Sequence, residues 1–336
     1  MNPSSRLAVP RVQWLKRLGQ RRRDRVAFVF SGGGPVGALQ VGALKALVER
    51  NILPDVVVGT SVGAVNASVM AFQPSSLGVA RLERAWDQLG ENDLFPGSGF
   101  MATWSRMLRR GDRIFDNSGM RKLIETNLGL TATFEDAQIP LGIVTTELMT
   151  GEERVFTSGP ILDPLLASTA MPGAFPPVTI DGLRYIDGGV VNNVPIVPAL
   201  DLGASTIYVL NTTAHIQQRR PLNRPMDYLM HAFALARSQR LKIERKFMDT
   251  ERVNLVMLPV APLDFFVPFT SLEHTRTLIE RSYEDTSRFL DSTPEQSEQR
   301  VSLLRARRAD PASLLRSRRA DPAGTGVLLE ATTSAE

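Results

Sequence analysis

The chain has 336 residues, of which 43% are apolar, and carries a net charge of +4 from 39 basic and 35 acidic side chains. That length accommodates one large α/β domain or two smaller ones, and the apolar share is ordinary for a packed core. There is no cysteine, which excludes disulfides, thiolate metal sites and a cysteine nucleophile.

In chain order, a basic segment comes first. Arg6, Arg11, Lys16, Arg17, Arg21, Arg22, Arg23 and Arg25 stand there against one acid, Asp24. It has no apolar h-region of a secretory leader, and no run in the chain reaches the roughly 18 apolar residues that span a membrane. Residues 1–23 read as a solvated tail, a patch for anionic lipid, or an Arg-rich transit segment. The expectation for the whole is a cytoplasmic protein, peripheral to a membrane.

Residues 25–30 are predicted as a strand, followed by the glycine loop Ser31 to Gly37 and a helix over 38–51 with Leu39, Gly42, Ala43, Ala46 and Leu47 on one face. Pro54 resets the chain into an apolar strand, 55–58, which runs into Gly59-Thr60-Ser61-Val62-Gly63 and an apolar helix from Ala64 to Met70. This is the βαβ rhythm of a parallel sheet. Residues 79–128 read as amphipathic helix interrupted at 94–99. Strands are predicted at 141–146 and 154–156, and a short helix at 161–170. A strand at 183–186 leads into Asp187-Gly188-Gly189 and a Pro-bounded helix. A strand at 206–210, a long helix at 227–248, a strand at 252–258 and a helix at 271–290 complete the series.

From about residue 294 the composition changes. Residues 302–312 recur at 313–323 with Ala306 replaced by Ser317. Two copies are too few for a solenoid, and each ends in Asp-Pro, which blocks helix continuation. Residues 291–336 therefore read as a basic, disordered tail with an eleven-residue tandem duplication. Leu303, Leu304, Leu314 and Leu315, set beside arginines, give it a second reading as a lipid- or partner-binding element. The domain expectation is a basic segment over 1–23, one catalytic domain over 24–290, and this tail.

A strand, then G-x-S-x-G, then an apolar helix is the nucleophile-elbow pattern, with Ser61 at its tip. Gly59 and Gly63 flank the serine where a Cβ would clash, and the helix N-terminus behind it favours anionic species. The loop Gly32-Gly33-Gly34-Pro35-Val36-Gly37 formally matches a dinucleotide fingerprint. That reading wants an acid at the end of the next strand, whereas Asp55 sits at its start and Gly59-Thr60-Ser61 occupies its end. The better reading makes Gly32, Gly33 and Gly34 the backbone N–H donors for an oxyanion formed when Ser61 attacks an ester.

Such a serine needs a base. The three histidines are His215, His231 and His274. The latter two fall in helical patterns. His215, in a polar loop after a strand, leaves a Ser–Asp–His triad open. The alternative base is Asp187, presented by a tight turn of Gly188 and Gly189 after a strand. A carboxylate serves if the site is partly desolvated.

The three motifs together resemble the patatin-like phospholipase family. They are Gly32 to Gly37, Gly59 to Gly63, and Asp187-Gly188-Gly189, supported by Ala167 to Pro177 and Val190 to Pro195. The resemblance covers roughly residues 24–290. It implies a three-layer α/β/α sandwich around a mainly parallel sheet. It also implies an acyl-serine mechanism on lipid or phospholipid esters, with Ser61 as nucleophile, Asp187 as general base, the three loop glycines as oxyanion donors, and no metal or other cofactor. One departure stands out: many members carry a basic residue in the glycine loop, where this chain has Pro35-Val36.

For the approach of lipid, two segments are candidates. The apolar run Leu263-Asp264-Phe265-Phe266-Val267-Pro268-Phe269 reads as core or as a lip for an acyl chain. Helix 227–248 carries Arg237, Arg240, Lys242, Arg245 and Lys246, read as a solvated face or as a surface for phospholipid headgroups. A non-catalytic lipid-binding protein remains a rival to the enzyme. A nucleic-acid partner is not expected, because the basic residues lie mainly in the terminal segments and no base-reading module is present.

Overall fold

The computed structural model describes residues 25–94, 115–212, 225–248, 253–260, 263, 267–268 and 271–292. The segment before residue 25, the predicted break at 94–99 beyond Leu94, His215 and the duplicated tail lie outside the described residues. So does most of the apolar run at 263–269, of which Leu263 is buried. The chain divides into a unit of residues 1–288 and a second of 289–336; the sheet and the site belong to the first.

Among the described residues eight strands build one sheet: β1 (Val26–Phe30), β2 (Val56–Thr60), β3 (Leu141–Glu147), β4 (Glu153–Phe156), β5 (Val178–Ile180), β6 (Leu183–Asp187), β7 (Thr206–Leu210) and β8 (Asn254–Met257). Their order is β5-β6-β3-β2-β1-β7-β8, with β4 also paired to β3. The run β3-β2-β1-β7-β8 is parallel throughout, and β4, β5 and β6 join antiparallel. The helices are α1 (Ala38–Glu49), α2 (Val62–Phe72), α3 (Ser76–Gln88), α4 (Glu91–Leu94), α5 (Ser118–Leu128), α6 (Leu162–Ser168), α7 (Ile196–Asp201), α8 (Pro225–Met248) and α9 (Thr275–Ser292). The architecture is the mainly parallel α/β sheet flanked by helices that the sequence implied.

The central strands are covered on both faces, so they read as unbroken apolar runs rather than alternations. Along β1, side chains alternate. Ala27 and Val29 join Val56, Val58, Ile207 and Val209 in one buried cluster. That cluster packs against Ile196 and Ala199 of α7 and Leu241 of α8. Phe28 and Phe30 point the other way and are fully buried.

Two features differ from the sequence reading. Strand β2 continues through Gly59 and Thr60, so the elbow begins inside the sheet. The hairpin β5–β6 was not foreseen, although its two-residue turn is Asp181-Gly182 with φ of 49° and 79°. Asp-Gly between two strand-like triplets is a strong short-range hairpin signal.

The hairpin determines the site. On β3, Ile143 and Val144 pair with β2 on one side and β4 on the other. Thr145 and Thr146 keep β4 on that side but pair with β6 instead of β2. Strands β2 and β6 thus share one lane beside β3, run toward each other, and meet where Thr60 pairs with Val144 and Asp187 with Thr145.

Close helix packing holds the other layer. A Cβ added to Gly42 of α1 would lie 2.0 Å from the Ile279 carbonyl oxygen and 2.7 Å from the Tyr283 nitrogen of α9. Replacing Gly42 by alanine must therefore push α9 off α1. We expect Gly42→Ala to lower the urea-unfolding free energy by about 1–3 kcal/mol, the usual range for overpacking, despite alanine's higher helix propensity.

Candidate active site

Ser61 follows the last residue of β2 and sits at the start of α2 with φ 55° and ψ −131°. A side-chain-bearing residue in this region costs of order 1–3 kcal/mol and persists only where its surroundings enforce it. Here they do. A Cβ on Gly59 would lie 2.4 Å from the Gly63 oxygen, and one on Gly63 would lie 2.4 Å from the Ser31 oxygen. The elbow therefore wedges between β1 and its own helix, with room for hydrogen alone at both glycines. Ser168, wholly buried at the end of α6, accepts the Ser61 N–H at 2.8 Å and donates to the Val144 carbonyl at 2.7 Å.

Asp187 ends β6. Its N–H donates to the Ala170 carbonyl at 3.0 Å, and its own carbonyl accepts from Thr146 Oγ1 at 3.0 Å. The chain then turns through Gly188 and Gly189, and a Cβ on Gly188 would strike the Val144 oxygen at 2.3 Å. Oδ1 of Asp187 accepts the Gly189 N–H at 2.7 Å, and Oδ2 accepts the Ser61 hydroxyl at 2.7 Å. Burial pushes the Asp187 carboxyl above its usual range. The Ser61 hydroxyl, the Gly189 amide and the Arg237 charge each pull it back down.

The glycine loop lies beside this pair. A Cβ on Gly32 would lie 3.1 Å from Ser61 Cβ and 2.7 Å from Asn193 Oδ1. The Gly32 N–H, expected as an oxyanion donor, donates here to the Asn193 carbonyl at 3.1 Å. The Gly32 carbonyl is drawn inward by Thr212 Oγ1 at 2.6 Å and Asn193 Nδ2 at 3.2 Å. In a trans peptide the next N–H points the opposite way. Gly33 is exposed and Gly34, at φ 57°, is half-buried. Their N–H groups have no acceptor among the described residues. Gly37 packs on Val62 and Trp86.

Behind the loop runs a buried amide network. Gln40 Nε2 donates to the carbonyls of Ser31 (2.7 Å) and Leu210 (3.1 Å). Asn66 Nδ2 donates to the Gly37 carbonyl (3.1 Å) and to Gln40 Oε1 (2.8 Å), while Trp86 Nε1 donates to Asn66 Oδ1 (3.1 Å). Inward-facing carbonyls are thereby satisfied, as buried polar groups must be. None of Gln40, Asn66, Trp86, Ser168, Asn193 or Thr212 was singled out for a role at the site. Each is a common core or turn residue type whose role depends on distant partners.

The long helix α8 also behaves differently from its sequence reading. Arg237 turns inward, with Nη1 donating to Asn193 Oδ1 at 3.4 Å. Arg240 also turns inward, donating to Glu153 Oε2 and Glu244 Oε1 at 2.8 Å each, and to the Val191 carbonyl. Lys242 is exposed. Arg237 and Arg240 are thus engaged within the protein rather than presented to solvent as that reading expected, while the side chains of Arg245 and Lys246 lie outside the described residues. Of the histidines, His231 lies on α8 and His274 just before α9. Among the described residues, which do not include His215, no imidazole acts on the Asp187 carboxyl.

A family model described as patatin-like phospholipase matches residues 28–200, just over half of the chain. The patatin-like phospholipase domain-containing protein ZK370.4 of Caenorhabditis elegans is 32% identical over 191 residues, covering 55% of this chain and 13% of that protein. Patatin-like phospholipase domain-containing protein 7 of Rattus norvegicus is 28% identical over 190 residues, 56% of this chain and 14% of its own. Neuropathy target esterase sws of Drosophila melanogaster is 29% identical over 195 residues, with 56% and 13% covered. The chain spans less than a fifth of the length of these curated relatives. Among solved structures, VipD from Legionella pneumophila overlaps 80% of this chain and 67% of its own at a TM-score of 0.47 and 16% identity. Its family model and its motifs agree: this chain belongs to the patatin-like phospholipase family.

Proposed function

We propose that the chain is a serine acyl hydrolase acting on carboxylic esters of lipids or phospholipids, with Ser61 as nucleophile and Asp187 as its base. The observation that carries this is the 2.7 Å hydrogen bond from Ser61 Oγ to Asp187 Oδ2 at the junction of two opposed strands. The names of its relatives, phospholipase and esterase, support an ester substrate. The proposed catalytic domain is residues 24–290, in a cytoplasmic protein peripheral to a membrane. Among the described residues no helix is long and apolar enough to cross one.

Ser61 Oγ attacks the ester carbonyl as its proton passes to Asp187. The carbonyl oxygen becomes an oxyanion facing the N–H groups of Gly33 and Gly34, backed by the N-terminus of α2. Collapse breaks the ester C–O bond, Asp187 returns the proton to the leaving alcohol, and an acyl-serine remains. A water, deprotonated by Asp187, then attacks that acyl group. The second collapse frees the carboxylic acid and restores the Ser61 hydroxyl. Burial suits Asp187 to this work, because a carboxylate raised above its ordinary range is a stronger base.

A fluorophosphonate tests the assignment directly. We expect one adduct, on Ser61 by mass spectrometry, lost in Asp187→Asn and retained in His215→Ala. Retention in Asp187→Asn together with loss in His215→Ala would replace the dyad by a histidine-based triad. Thr212→Val removes one of the two donors that hold the Gly32 carbonyl inward. It should reduce kcat about 10- to 100-fold, somewhat less than outright loss of an oxyanion donor, with the fold intact by circular dichroism.

The strain at Ser61 gives a separate check. At an ordinary position glycine is less stable than alanine by about 0.4–1 kcal/mol. At a φ of 55° the order should reverse, with Ser61→Gly more stable than Ser61→Ala by about 1 kcal/mol in chemical denaturation. A Ser61→Gly variant less stable than Ser61→Ala by the ordinary margin of about 0.4–1 kcal/mol would show that the elbow stores no strain.

A further inference from the structure

We infer that Arg237 is a positioning residue for the dyad: its guanidinium, set over Gly189, supplies the counter-charge of Asp187, so the seating of α8 sets the reactivity of Ser61. This rests on the Ser61–Asp187 reading and extends it to a helix that the motifs do not reach.

Helix α8 is seated by its inner face. Ala234 is buried and Leu241 packs into the core cluster, while Leu235 and Ile243 are exposed. Arg237 projects from the seated side over Gly189. A Cβ built on Gly189 would lie 3.4 Å from Arg237 Nη1 and 3.0 Å from Asp187 Oδ1. Glycine there leaves the space between cation and carboxylate free of side chain. The same guanidinium reaches Asn193, whose Nδ2 and carbonyl both engage Gly32. One side chain of α8 therefore adjoins both the base and the loop that faces the oxyanion.

Hydrogen bonding alone does not explain why Arg237 is there. Its one hydrogen bond among the described residues is the 3.4 Å contact to Asn193, and its buried Nε has no partner. An incompletely bonded buried guanidinium destabilises a fold unless a charge compensates it. Burial pulls Arg237 below its ordinary value, and the Asp187 charge opposes that. Reciprocally, among the described residues Arg237 is the ionic group acting on Asp187, beside the Ser61 hydroxyl and the Gly189 amide. The other charges nearby, Glu153 of β4 with Arg240 and Glu244 of α8, are engaged with each other.

The sign of the expected effect follows. Asp187 must be ionised to accept the Ser61 proton. Without the neighbouring cation, burial acts on the carboxyl with less opposition, and ionisation requires higher pH. An opposite charge close to a buried carboxylate favours its ionised form, so removing the cation moves that ionisation to higher pH.

The test is the pH profile of fluorophosphonate labelling at Ser61 for the full chain and its Arg237→Gln and Arg237→Lys variants. Arg237→Gln should shift the acid limb up by about one pH unit, labelling about tenfold more slowly than wild type on that limb. It should converge with wild type at mildly alkaline pH, which also shows that the site is folded. Arg237→Lys should restore most of the acid limb. Hydrolysis of a neutral ester and of a phospholipid should fall in parallel. A superimposable Arg237→Gln profile, a loss equal at every pH, or a loss confined to the phospholipid as a rise in KM would each overturn the inference; the last would make Arg237 a phosphate contact. Wild type that labels nowhere overturns the dyad and this inference together, whereas labelling at Ser61 with an unshifted variant overturns this inference alone.

Discussion

Everything at the site depends on two strands meeting head to head. A parallel sheet delivers all its strand ends in one direction, so a nucleophile from one strand ordinarily finds its partners on neighbouring loops. Here β2 stops at Thr60, and β6 enters the vacated lane from the opposite direction, stopping at Asp187. Serine and carboxylate are held by backbone ladders on both sides of the junction. Preorganisation of this kind keeps the 2.7 Å contact without long side chains having to be ordered.

The arrangement carries opposing costs, and the surrounding polar groups offset them. Ser61 occupies a strained backbone conformation. Asp187 is buried in a setting that disfavours its charge. Ser168 ties the elbow to β3, Thr146 and Ala170 tie down the peptide groups of Asp187, and Gln40 and Asn66 satisfy the carbonyls under the glycine loop. These bonds are local in space and remote in sequence. The site can therefore form only with the tertiary fold, since none of its segments holds its conformation by local interactions alone.

That separation also explains what was legible in the sequence. Short-range constraints leave short-range signals. Gly59 precedes Ser61 because a Cβ there would strike Gly63 and Ala64, and Gly189 follows Asp187 because a Cβ there would meet Asp187 and Asn193, close by in the chain. Gly63 and Gly188 instead clear the distant Ser31 and Val144 carbonyls and show in the sequence only as parts of their motifs. The parallel sheet showed in the apolar runs of β1 and β2. The Asp181-Gly182 hairpin carries an equally short-range signal, a two-residue Asp-Gly turn between two strand-like triplets. The occupancy of the Gly32 N–H and the inward turn of Arg237 were not readable. Both depend on Asn193, whose partners lie 161 and 44 residues away, and no spacing rule spans such distances. A run of arginines on a helix carries the same pattern whether it faces water or a carboxylate.

The register of β6 is the constraint most exposed to failure. Side chains alternate along a strand, so a slip of one residue against β3 would turn Asp187 to the opposite face of the sheet. Three features oppose that slip. The two-residue Asp181-Gly182 turn fixes β5 against β6, with Ile180 opposite Leu183. Tyr185 meets Phe156 of β4 edge to face at 5.3 Å, a contact with its own geometric preference. Thr146 Oγ1 reads the Asp187 carbonyl directly. A slip that moved Asp187 into the position of Gly188 would also bring a side chain to where a Cβ lies 2.3 Å from the Val144 oxygen. The space at Gly188 thus opposes that slip as well as permitting the turn, so the Asp-Gly-Gly motif specifies the position of the carboxylate and not merely its presence.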